Sequence, residues 1–213
     1  TLSDGRTLGA RELYVEALRH EPAYATAYHN LAGTLSAGET VTLSDGRTLG
    51  ARELYVEALR YDPAYAAAYF GIAVALSAGE TVTLSDGRTL GARELYVEAL
   101  RHEPAYAAAY HNLAGTLSPG ETATLSDGRA LAAIDLLMAA ANNGERFAAP
   151  RLYLGLRLCP DERVALPEGE CGATDCLLQA LRLQPALAMP LLCLAFRLAP
   201  GEHVALTDSD GAT

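Results

Sequence analysis

The sequence predicts a mainly α protein, a solenoid of stacked helix pairs with a short β-hairpin inserted in each unit, and three observations carry that expectation. The segment TLSDGRTLGARELYVEALR begins at Thr1, recurs at Thr42 and Thr83, and persists in altered form from Thr124 and Ala165. A self-similar period of 41 residues marks an array in which each unit packs only on its neighbours. Within a unit, apolar residues recur twice with a helical period, and between those stretches β-branched residues alternate around an Asp-Gly pair.

Sequence units 1–41, 42–82 and 83–123 are nearly identical, 124–164 and 165–204 diverge, and 205–213 read as the start of a further unit or a tail of one array spanning 1–213. One structural unit runs over 23–63. In its first helix Tyr24, Ala27, Tyr28, Leu31, Ala32 and Leu35 share one face. In its second, Ala51, Leu54, Tyr55, Ala58 and Leu59 do the same, and Pro63 marks the end. Between them Val41 and Leu43 alternate with threonines up to Ser44-Asp45-Gly46, a hairpin signal in which Gly46 takes the left-handed position. Isolated helices this short are marginal in water, so packing on the next unit must hold each one. Hairpins of successive units could pair edge to edge, because packed helices and a two-stranded ribbon have similar widths, or each could pack on its own helices.

The positions Tyr28, Leu31, Ala32, Leu35, Ala51, Tyr55, Ala58 and Pro63 resemble the signature of the tetratricopeptide repeat. The unit departs from that family between Leu35 and Ala51, where about seven extra residues lengthen the usual 34 to 41. The resemblance covers the first three units closely and the last two loosely. It implies a right-handed superhelix whose first helices line a concave groove that takes a protein or peptide segment. Carried over by position, the groove residues are Thr26, His29 and Asn30, then Phe70 and Val74, then His111 and Asn112. Further along they become Leu152, Tyr153 and Leu156, then Leu192 and Phe196, so the groove turns from polar to apolar. An apolar groove suits an amphipathic helix or an extended peptide. One use of the family is a clamp for an acidic C-terminus. Asn30 and Asn112 suit it, but the lysines such a clamp needs are missing, which argues against it here.

Six of the eight differences between residues 1–41 and 42–82 fall at positions 26 to 34, where a ligand would touch. Drift on an open surface accounts for the same pattern. Pro150 and Pro190 stand where Ala27, Ala68 and Ala109 stand, and are expected to delay the start of their helices.

Chemistry is not expected. A formal charge of -10 disfavours nucleic acid and anionic membranes. Asp45 and its repeats in Ser-Asp-Gly-Arg read as turn residues that bond their own backbone. Cys159, Cys171, Cys176 and Cys193 read as lone thiols in a reducing, cytoplasmic setting, not as a metal site. No nucleophile stands beside a base and no phosphate loop follows a strand, so no enzyme, cofactor or metal is expected. The chain lacks an initial methionine and is expected to be a piece of a longer protein.

The expected function is a non-enzymatic interaction scaffold binding a protein segment. The alternative is a structural, self-assembling repeat protein that uses uncapped ends and paired hairpins. The half-hairpin patterns at Thr1–Leu8 and His203–Leu206 favour it, as does a last unit that is apolar on several sides.

Overall fold

Helix pairs alternate with hairpins along the chain in the computed structural model, which describes residues 7–198 and 202–204. The chain divides after Pro104 into two units. The first contains α1 (Ala10–His20), α2 (Ala25–Ala32), β1 (Thr40–Thr42), β2 (Thr48–Gly50), α3 (Ala51–Tyr61), α4 (Ala66–Ala75), β3 (Thr81–Thr83), β4 (Thr89–Gly91) and α5 (Ala92–His102). The second contains α6 (Ala107–Gly115), β5 (Thr122–Thr124), β6 (Ala130–Ala132), α7 (Ala133–Asn143), α8 (Ala148–Arg157), β7 (Val164–Leu166), β8 (Gly169–Cys171), α9 (Ala173–Leu183) and α10 (Ala188–Arg197). Within each unit every helix packs on the next, as a repeat solenoid requires. The even helices are the first helices of the repeat and the odd ones the second.

The core is a row of large and small residues from facing helices. Tyr28, Leu31 and Ala32 of α2 are buried against α3, where Leu54 and Ala58 are fully enclosed, and Tyr69, Ile72 and Ala73 repeat the arrangement against Leu95 and Ala99. Each odd helix after α1 opens with an acid at its third position that accepts the backbone N–H of the residue before the helix. Glu53 takes Gly50 and Glu94 takes Gly91, both at 3.1 Å, Asp135 takes Ala132 at 3.0 Å, and Asp175 takes Gly172 at 2.9 Å. That bond satisfies a donor the helix cannot, and places negative charge at the positive end of its dipole.

The hairpins form where the alternation predicts, with Val41 opposite Leu49 and Thr42 opposite Thr48. Gly46 donates to the Leu43 carbonyl at 3.0 Å and adopts φ +86°, so the loop is a tight turn closed by a left-handed glycine. Asp45 accepts the Arg47 N–H at 2.9 Å, the local bond expected of it, and Asp86 and Asp127 do the same. Each hairpin is its own two-stranded sheet, so edge-to-edge pairing does not occur among the described strands. The strands are three residues long, and Arg47 ties the turn to Glu57 of its own helix at 3.0 Å. The terminal half-hairpins lie largely outside the described residues.

One local expectation fails. α8 begins at Ala148 and α10 at Ala188, the positions equivalent to Ala25 and Ala66, so Pro150 and Pro190 do not delay their helices. They occupy the third helical position, where Ala27, Ala68 and Ala109 make only a tight bond to Tyr24, Tyr65 and Tyr106. Losing that single first-turn bond is compatible with the helix.

Candidate binding surface

The even helices present the surface in question, and the first three share one feature. At the position of His29 a ring packs on rings from the elements that follow it. His29 lies 5.3 Å from the Tyr55 ring and 5.1 Å from Tyr65, Phe70 lies 5.8 Å from Tyr96, and His111 lies 5.2 Å from Phe147 and 5.1 Å from Tyr153. Each of these three side chains is half-buried, as are Asn30, Asn112 and Leu152. Burial pushes the His29 imidazole below its ordinary pKa; it does the same to His111, with a smaller contribution from the positive charge of Arg157. Nδ1 of both rings is buried without a hydrogen-bond partner, which suits a neutral ring packed among aromatics.

The remaining sequence-derived positions are open. Thr26 and Val74 in the first unit, and Tyr153, Leu156, Leu192 and Phe196 in the second, are exposed. In the first unit Val74, Gly33, Gly71 and Tyr55 line an open cavity of about 840 Å³, rimmed by Glu39 and Arg52. Gly71 permits this floor, because a Cβ there would stand 2.7 Å from the Tyr55 ring. Glu39 accepts the Ser36 N–H and pairs with Arg11 at 2.8 Å, which together hold its carboxyl below the usual carboxylate range. In the second unit Leu152 packs beside the cluster of Leu177, Leu181 and Leu194, while Tyr153 and Leu156 stay open. Phe196 is 82% exposed, more than any other large apolar residue described.

Sequence reasoning missed one feature. Arg151 occupies the position of Tyr28, Tyr69 and Tyr110, yet it is 1% exposed. Its guanidinium donates to the carbonyls of Gly144 and Phe147 at 3.4 and 3.3 Å, much as Tyr28 and Tyr69 donate to Pro22 and Pro63. Its charge is met by Glu168, 2.6 Å away in the β7–β8 turn. In the earlier repeats the tyrosine stands instead beside an arginine of the turn: Arg88 lies 3.5 Å from the Tyr69 hydroxyl. The signal was present as a paired change, arginine entering the helix where an acid replaces the turn's basic residue.

Of the cysteines only Cys193 lies on an even helix, beside Leu152 on the Leu177, Leu181 and Leu194 cluster. Cys171 and Cys176 are buried, Cys193 is partly so and Cys159 is exposed, and burial pushes the Cys176 thiol up to about 12. Among the described residues no helix is long and apolar enough to cross a membrane. No protein-family model matches this chain, and no curated protein matches it either.

Proposed function

We propose that the chain is a tetratricopeptide-like scaffold, a right-handed superhelix that binds a protein segment along its even helices and catalyses nothing. The observation that carries this reading is the exposure of Tyr153 and Leu156 on α8, with Val74 at the position of Leu156 on α4. Open apolar side chains recur at that position on single even helices, with Phe196 of α10 there as well, and each is a candidate anchor. Such anchors suit the apolar face of an amphipathic helix or the alternate side chains of an extended peptide.

The test is selection from a displayed random-peptide library, followed by titration of the winners. Peptides with spaced apolar anchors are expected, and Leu156→Asp or Val74→Asp is expected to weaken their binding at least about tenfold, the loss of one buried apolar anchor, with an unchanged circular dichroism spectrum. A library that yields no peptide sensitive to either change would remove the reading.

A further inference from the structure

The cavity of about 840 Å³ in the first unit lies where one groove position lacks a side chain. Gly33 stands at the repeat position of Val74, Leu156 and Phe196, so α2 ends without the anchor those helices carry. Its backbone is right-handed, with φ -65°, and a Cβ there would meet only the Asn30 and His29 carbonyls, at 3.4 and 3.9 Å, so the fold does not demand glycine. The cavity walls are apolar at Leu35, Tyr55, Val74 and Ala75 and charged at Glu39, Arg52 and Glu53. Two of those charges are already met. Arg52 pairs with Glu80 at 2.9 Å and donates to the Ala75 carbonyl at 3.0 Å, and Glu39 pairs with Arg11 at 2.8 Å. Glu53 is exposed and accepts the Gly50 N–H, with no arginine paired to it among the described residues. The cavity also faces the C-terminal ends of α2 and α4, which are negative, against the one positive end of α3, which Glu53 itself covers.

We propose that this cavity takes the arginine or lysine side chain of a basic peptide segment, so that the ligand of the groove carries a cation beside its apolar anchor. The inference rests on the groove reading and gives it a chemistry, because Val74 is both an open anchor and a wall of the cavity. Charge complementarity decides the occupant. A long cationic side chain lays its aliphatic stem along Tyr55 and Val74 and brings its head to the Glu53 carboxylate, a charge-assisted hydrogen bond. An acidic side chain would meet like charge, and a neutral one would leave Glu53 without a counter-charge. The volume is that of an ordinary ligand pocket, enough for one such side chain and the backbone that presents it. The formal charge of -10 on the chain favours encounter with a basic peptide for the same reason, and salt weakens that attraction.

Two probes test it, N-acetyl-arginine amide and its neutral isostere N-acetyl-citrulline amide, each titrated into the full chain and followed through backbone amide NMR shifts. The arginine probe is expected to shift the resonances of Gly33, Glu53 and Val74, with a dissociation constant on the order of millimolar, and to bind at least about fivefold more tightly than the citrulline probe. Glu53→Gln keeps the bond to the Gly50 N–H, since glutamine serves that cap equally, and is expected to abolish the difference between the probes. Glu94→Gln, the same change one repeat on, is expected to preserve it. Gly33→Leu fills the cavity and is expected to remove the binding of both. Library peptides whose binding depends on Val74 are expected to carry an arginine or lysine at a fixed spacing from the apolar anchor. Equal binding of the two probes, an arginine preference that survives Glu53→Gln, or Val74-dependent peptides with no basic residue would overturn the inference and leave the groove standing. Arginine binding at the cavity with no selectable peptide would instead overturn the groove reading, and the peptide with it, and leave the cavity to a free guanidinium compound.

Discussion

Residues 7–104 and residues 105–198 build the same helix–hairpin–helix step with different chemistry. In the first region a surface frame of ion pairs recurs. Arg11 pairs with Glu39 and Arg52 with Glu80, each reaching past the next even helix, while Arg47 and Arg88 bridge their own turns to Glu57 and Glu98. In the second region the frame is dismantled. Ile134 and Thr174 replace the reaching arginines, Ala139 and Gln179 replace the glutamates, and Arg129 keeps its turn partner Asp127 where the helix glutamate is gone. One buried ion pair, Arg151 with Glu168, stands in for the tyrosine contact. The fold survives the exchange because exposed pairs contribute little, at most about 1 kcal/mol each, whereas a buried apolar row runs inside both regions, interrupted in the second by Arg151.

That equivalence can be broken most directly in the core. Leu95 and Leu136 occupy the same repeat position in the two regions and neither is exposed at all. Leu95→Ala and Leu136→Ala are each expected to cost about 2–5 kcal/mol in urea unfolding monitored by circular dichroism. Costs differing by more than about 2 kcal/mol would mean that the surface frame, and not the core, carries the first region.

The buried ion pair sharpens the contrast. Its two halves are unequally enclosed, because the Glu168 side chain is 42% exposed and Arg151 is not. Glu168→Gln strands a buried charge and is expected to cost about 2–3 kcal/mol. Arg151→Tyr restores the residue of the earlier repeats and leaves an acid that water can reach, so its cost is expected to be smaller, about 1 kcal/mol. The reverse order in matched unfolding curves would show that the pair is held from the turn's side.

Histidine gives a pH-dependent version of the same contrast, with Phe70 as the internal control. The folded pKa values of His29 and His111 lie below the ordinary value, so the unfolded chain binds more protons there. Their contribution to stability is therefore complete above the ordinary histidine range and is lost as pH falls through it towards the depressed folded values. The turn aspartates, also depressed, keep their contribution over this range and lose it only as pH falls below the ordinary carboxylate range. Between pH 7 and 5 the double variant His29→Phe, His111→Phe is expected to show a flatter melting temperature than the unmodified chain. An identical slope would place the protonation elsewhere.

The parts of this molecule that follow from spacing were legible in the sequence. Helical periodicity put the first helix of the repeat over Tyr24 to Leu35 and the second over Ala51 to Leu59, and Ser44-Asp45-Gly46 announced the turn. Each depends on residues close along the chain. The groove positions were legible only as repeat positions, because exposure at 29, 70 and 111 depends on rings supplied from elsewhere in the chain. Arg151 was opaque for a related reason: nothing local says that an arginine will be enclosed, and its partner is seventeen residues away. The prolines at 150 and 190 misled because helix starts tolerate proline over the whole first turn.

The smallest expected effect tests whether the repeats are interchangeable at their turns. After each of the first three even helices of the array the chain reverses through Ser36-Ala37-Gly38-Glu39 or its equivalent, closed by a Glu39 N–H bond to Ser36 at 3.0 Å with Gly38 at φ +80°. A left-handed third residue defines a turn whose second position favours proline. The third repeat has taken that option: Pro119 replaces Ala37, and Gly120 keeps φ +82°. Proline there removes freedom from the unfolded chain without demanding anything new of the folded one. Ala37→Pro and Ala78→Pro are accordingly each expected to stabilise by about 0.5 kcal/mol, and to add, since the two turns share no side chain. A loss of stability in either would show that the turns, though identical in hydrogen bonding, are held differently in successive repeats.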